Sequence, residues 1–204
     1  AVSNRNDLWK YTITGTGAGV TKQRGVIKFD LSGLPGSVNS ATLSLYLDSA
    51  NAGSKTIQVH KLTEDPAESD VSWNNWGPAT NWTTAGGQFD ASPVANQTVT
   101  NSPGYVSFDI TTLYNQWKAG SVNNYGLAIK LSDEATAGNY IYFGSSDNAD
   151  ANKRPKLVIS ANPTNYNVGV FTRDKIADVG YGGAVTQALN ISDQYLFVGL
   201  SNEI

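Results

Sequence analysis

The 204-residue sequence contains no cysteine, which excludes a disulfide framework, a thiolate metal site and a thiol nucleophile. A chain of this length buries enough apolar surface to fold without covalent staples. Charge is scarce as well: charged residues make up 15% of the chain and the formal net charge is −3. No Lys/Arg cluster builds the basic field that a phosphate backbone attracts, so nucleic acid is not an expected partner. No apolar run approaches the roughly 20 residues that span a bilayer as a helix. The single histidine, His60, stands on an alternating segment with Ile57 and Val59. One imidazole supplies no metal triad, and no Ser-His-Asp spacing singles it out, so a structural role is expected. The chain opens Ala1-Val2-Ser3 without an initiator Met; signal-peptide removal leaves such an end, and so does the boundary of an expressed fragment.

What is present is the composition of short strands joined by turns: 20 Gly, with abundant Thr, Ser, Asn, Val and aromatics. Arg24 to Asp30 and Ala41 to Leu47 alternate apolar and polar residues with period two, and Thr56 to Leu62 repeats the pattern. Tyr105 to Ile110, Tyr125 to Leu131, Asn139 to Phe143 and Pro155 to Ile159 complete roughly seven or eight strands, the number a sandwich needs. Asp109 and Thr111 can cap a short helix through Trp117 that Gly120 ends. The expected fold is all-β: a jelly-roll-like antiparallel β-sandwich over 1–160 with one short helix. A C-terminal extension follows over 161–204.

Between Asp65 and Pro103 the pattern is broken by Pro, Gly and Asn and reads as a long decorated connection. It carries Trp73, Trp76 and Trp82, with Asn74, Asn75 and Asn81 interleaved. Flat rings stack on the apolar face of a sugar while amides satisfy its hydroxyls, so Trp73, Trp76, Trp82 and Asn75 are candidate carbohydrate-binding residues. Trp73 is expected to cap the core, Trp76 and Trp82 to be freer, and Trp117 to be core. The acidic run Glu64, Asp65, Glu68 and Asp70 could suggest a glycosidase pair, but such a run is more often a solvated face, and no catalytic residues are expected. Asp133, Glu134, Asp147 and Asp150 are oxygen donors in two loops that could converge on Ca²⁺. Asn81, Asn96 and Asn190 head glycosylation sequons.

Several of these segments occur together and in order. They are the run Arg24 to Pro35 (RGVIKFDLSGLP), Ala41 to Leu47 (ATLSLYL), Val71-Ser72-Trp73-Asn74-Asn75 and Val106 to Thr111 (VSFDIT), then Trp117 with Gly120, Tyr125-Gly126-Leu127 and Arg154 to Ile159 (RPKLVI). In this the chain resembles the disaggregatase-related, or DNRLRE, repeat, which is also classed among carbohydrate-binding modules (family 96). The resemblance covers about Leu8 to Ser160. It implies a sandwich of secreted and cell-surface proteins, often in tandem, with no catalytic residues of its own.

The resemblance has one departure. The family's opening apolar strand is missing or abbreviated ahead of Arg24, and a copy of it stands at the other end as Tyr195-Leu196-Phe197-Val198-Gly199, as though the repeat were circularly permuted. Such a tail could fold back on its own sandwich, be the stub of a following repeat, or insert into the next subunit; Leu8 to Tyr11 could fill the same slot. An apolar terminal strand must pair with something. The first expectation is therefore an extracellular structural subunit that donates the strand Tyr195, Leu196, Phe197 and Val198 to a copy of itself, giving a head-to-tail filament or sheath. The second is a carbohydrate-binding module of a larger cell-surface protein or polysaccharide-degrading enzyme.

Overall fold

The computed structural model describes residues 10–14, 22–68, 70–136, 138–161, 190–192 and 195–197. In chain order the described strands are β1 (Lys10–Thr14), β2 (Gly25–Ile27), β3 (Val38–Ala50), β4 (Lys55–Lys61), β5 (Asn75–Gly77), β6 (Thr80–Asn81), β7 (Ala95–Val99) and β8 (Gly104–Asp109). Helix α1 (Thr111–Lys118) follows, then β9 (Leu127–Leu131), β10 (Tyr140–Gly144), β11 (Lys156–Ala161), β12 (Asn190–Ser192) and β13 (Tyr195–Phe197). The chain divides into two compact units, Ala1–Ala161 and Asn162–Ile204.

The first unit is a sandwich of two antiparallel sheets. One runs β1-β10-β3-β11 with β8 also on β3, and the other runs β2-β9-β4-β7. The 13-residue β3 is the spine of the larger sheet. It aligns Leu43 with Phe108 and Leu45 with Val106 on β8, so period-two alternation turns one apolar face inward. Leu43, Leu45 and Leu47 meet Ile57 and Val59 of β4 and Leu127, Ile129 and Leu131 of β9 in one buried cluster. Each such side chain contributes about 1.5–3 kcal/mol on burial.

Helix α1 closes one end by burying Leu113, Tyr114 and Trp117. Asn115 receives the Val38 N–H at 3.0 Å and donates to its carbonyl at 3.1 Å, fixing where β3 begins. Asp109 accepts the Thr111 N–H at 2.9 Å and so braces the helix start, while Gly120, at φ +71°, lets the chain leave.

Several expected strands change length for local reasons. β2 stops at Ile27 because Gly126, at φ +89°, lies so close to the Ile27 carbonyl that no side chain fits, and β9 begins only after it. The connection expected between Asp65 and Pro103 in fact contains the hairpin β5/β6 and the edge strand β7, which pairs with β4 alone. β1 lies beside β10, with Lys10 opposite Gly144 and Thr14 opposite Tyr140, so the chain's own N-terminal strand occupies that edge. In the second unit β12 and β13 pair antiparallel, Ile191 opposite Leu196. Val198, Gly199, Leu8 and Trp9 lie outside the described residues.

Candidate functional site

The loop between β4 and β7 folds over the outer face of the four-stranded sheet. Its anchor is Trp82, which packs with Leu62 and Ala128 against Val26, Val71, Trp76, Phe89 and Tyr125. The Trp82 indole is 5% exposed and its N–H donates to the Ser72 carbonyl at 2.9 Å. Trp73, by contrast, is 38% exposed. The expected order is thus reversed: Trp82 is the core residue and offers no ring face to a sugar, whereas Trp73 stands at the surface. Trp76 is half-buried against the Trp82 cluster. Asn75 lies in β5 with its N–H donated to the Ser72 hydroxyl at 3.1 Å. Asn74 is exposed beside them.

Behind Trp73 lies Arg24, its guanidinium carbon 5.0 Å from the ring centroid. Nε and Nη2 donate to the two Glu134 oxygens, both at 2.7 Å, and Nη1 donates to the Gly86 carbonyl at 2.8 Å. Lys130 Nζ sits 3.7 Å from the same carboxylate. Burial pushes the Glu134 carboxyl up, but the Arg24 hydrogen bonds and charge, with Lys130, outweigh it and hold it below its ordinary range.

That pairing also takes up one of the four oxygen donors considered for Ca²⁺. Glu134 is consumed by Arg24, Asp133 accepts the backbone N–H groups of Ala135 and Thr136, and Asp150 caps a short 3-10 turn through the Asn152 N–H. Asp147 is exposed. Among the described residues no three His, Cys, Asp or Glu side chains assemble as a metal site.

In the acidic run, Glu64 accepts the Thr83 hydroxyl and Asp65 pairs with Lys28 at 2.6 Å. Glu68 lines a depression of about 470 Å³ with Lys28, Asp30 and Asn124. His60 is 3% exposed, its Nδ1 is 2.8 Å from the Asp90 carbonyl, and its ring lies against Phe89. Burial lowers its pKa, and Lys130 and Arg24 push the same way. The sequon residues Asn81 and Asn96 are exposed on β6 and β7; Asn190 is in β12.

One aromatic surface escaped the sequence reading. On the outer face of the larger sheet Tyr46 and Tyr105 stand opposite each other, ring centroids 5.3 Å apart and edge to face. Tyr140 and Tyr142 pack at 5.0 Å on β10. Lys156 Nζ lies 4.2 Å from the Tyr105 centroid and Lys153 Nζ 5.2 Å from that of Tyr46. The available signal was tyrosine at the non-core positions of alternating strands.

No curated protein matches the sequence. The profile described as Disaggregatase related repeat domain matches residues 3–159, a stretch that takes in β1 to β11 almost whole. The chain therefore belongs to the disaggregatase-related repeat domain family.

Proposed function

We propose that this chain is a non-catalytic carbohydrate-binding module of a secreted or cell-surface protein, with the Trp73 indole as its stacking platform. The observation that carries the reading is an indole left exposed at the surface with a guanidinium braced against it. A flat ring of this kind meets the apolar face of a sugar. Asn74, exposed beside it, and the half-buried Asn75 supply amide groups able to donate to and accept from hydroxyls. Affinity electrophoresis in gels cast with xylan, β-glucan or galactomannan tests this. Trp73→Ala is expected to lose retardation while keeping its fold, and equal retardation of variant and parent removes the site. Glycans on Asn81 and Asn96 belong to the same extracellular reading, since both side chains reach solvent.

A second reading, the self-assembling subunit, is favoured by one observation. Among the described residues β12 and β13 form a two-stranded sheet, and an isolated hairpin is marginal in water until another sheet covers or extends it. A neighbouring copy would supply that cover and build a head-to-tail polymer; a circularly permuted repeat would belong with this reading. Because β1 lies along β10, the acceptor edge would be another one. Phe197→Asp is expected to abolish assembly by placing an unpaired charge in the joint; polymer persisting in that variant would sink the reading.

A further inference from the structure

The Trp73 indole is the outer member of a stack that runs inward. The Arg24 guanidinium lies 5.0 Å from the Trp73 centroid and 5.2 Å from that of Phe89. Phe89 in turn meets the His60 ring at 4.8 Å. Side-chain exposure is 16% for Arg24 and 9% for Glu134, so the cation is held where water competes little for its hydrogen bonds. The same guanidinium touches the Trp73 loop twice, through the ring and through the Gly86 carbonyl. Gly86 donates its own N–H to the Trp73 carbonyl at 2.6 Å. It sits at φ +93°, and a methyl group there would come within 2.6 Å of Arg24 Nη1 and 2.8 Å of the indole. Ring, guanidinium and Gly86 backbone are therefore packed to contact, with Glu134 holding the guanidinium plane.

We propose that Arg24 is the positioning residue of the Trp73 platform: its guanidinium, oriented by Glu134 and tied to Gly86, fixes the plane of the indole and thereby its affinity for a stacked sugar ring. The effect on affinity rests on the carbohydrate-binding reading above; the effect on the indole does not. Lysine cannot substitute. Its ammonium keeps the charge, but it lacks the planar fork that binds a carboxylate with two bonds while stacking on an aromatic face.

The test uses the full chain with Arg24→Lys, Glu134→Gln and Trp73→Ala, each checked for fold by circular dichroism and thermal melting. ¹⁵N relaxation of the indole N–H groups reports ring order, the Trp73 signal being the one missing from Trp73→Ala. In Arg24→Lys its order parameter is expected to fall from a rigid value near 0.85 to below about 0.6, while those of Trp82 and Trp117 hold. Retardation by whichever of xylan, β-glucan or galactomannan retains the parent is expected to weaken at least about tenfold, a loss of the size expected when a platform is no longer preorganised. If Arg24→Lys fails to fold, Glu134→Gln, which loosens the guanidinium without removing it, gives the same two readouts. An unchanged Trp73 order parameter overturns the positioning role. A rigid-to-mobile change with undiminished retardation overturns its link to affinity. Equal retardation of Trp73→Ala and parent, with the order change present, brings down the carbohydrate reading and leaves the positioning of the ring standing.

Discussion

Trp73 and Trp82 belong to one loop, and their substitution is expected to separate binding from stability. Trp82→Ala removes an indole that is 5% exposed and strips the Ser72 carbonyl of its donor. It is expected to cost about 4 kcal/mol, read from the urea midpoint. Trp73→Ala removes an exposed ring and one cation–π contact, and is expected to cost about 1 kcal/mol in the same assay. Gly126→Ala forces a side chain at φ +89° onto the Ile27 carbonyl, 2.5 Å away, and is expected to lower stability by about 3 kcal/mol.

The loop's residue types were legible as a cluster of rings and amides, yet the rank of the rings was not. Which Trp faces the sheet depends on the register of the short hairpin β5/β6, where one strand has two residues and no alternation exists to read. The tyrosines on β3, β8 and β10 are illegible for the opposite reason. On an alternating strand the apolar half is specified by the core, whereas nothing in the period distinguishes an outward tyrosine that packs on a neighbour from one that does not.

Among elements, β4 and the turn that follows β9 carry two groups whose titration shifts on folding, His60 and Glu134. The folded His60 has its pKa below the ordinary imidazole value of 6.5, first because burial disfavours the imidazolium and then because Lys130 and Arg24 lie near, against the hydrogen bond its ring donates to the Asp90 carbonyl. The unfolded chain therefore takes up this proton first. The stabilisation carried by neutral His60 is complete above about pH 6.5 and declines as pH falls through that value toward the lower folded pKa. Glu134 is depressed below the ordinary glutamate value of 4.5, so its contribution persists to lower pH and is lost as pH falls through the folded value. Urea midpoints taken down the pH scale are expected to show two steps, and His60→Gln is expected to flatten the first. A single step unaffected by that substitution would contradict the assignment.

Strand identity was readable in the sequence wherever alternate residues meet the core. It failed at β7, an edge strand in which Ala95 and Val99 are the residues packed against the core and Asn96, Gln97 and Thr98 are exposed. The helix was legible from Asp109, Thr111 and Gly120, although Asp109 acts from one residue before the N-cap, Ile110.

For the whole molecule, the sandwich and the tail make separable predictions. A chain ending at Ala161, the last residue of β11, is expected to melt cooperatively, because the packed sheet-to-sheet cluster lies within the first unit. Light scattering and electron microscopy of this version beside the full chain report assembly. Polymer confined to the full chain supports the subunit reading, and monomer in both returns all weight to binding. With no carboxylate cluster assembled among the described residues, chelator is expected to leave the melting temperature within about 1 °C, where a bound calcium would move it by its binding free energy. Overall fold class was legible because two faces of alternating strands leave few solutions; the path of the tail was not, since an apolar strand states only that it must pair.

The register of the larger sheet also fixes where the chain enters and leaves the sandwich. β1 runs antiparallel to β10, and β10 and β11 both run antiparallel to β3. The start of β1 and the end of β11 therefore point toward the same pole, the one where β3 begins at Val38. Lys10 stands beside Gly144 and so about level with Leu47, whereas Ala161 stands beside Val38. Tension applied through the two ends therefore loads the two strands unequally: β1 is turned back on itself and peels from β10 one ladder bond at a time, while β11 is drawn along its own axis and its bonds to β3 share the load. Optical-tweezer pulling through handles ahead of Lys10 and after Ala161 should accordingly show a first yielding at low force, as β1 peels, before the rest of the sandwich gives way at a higher one.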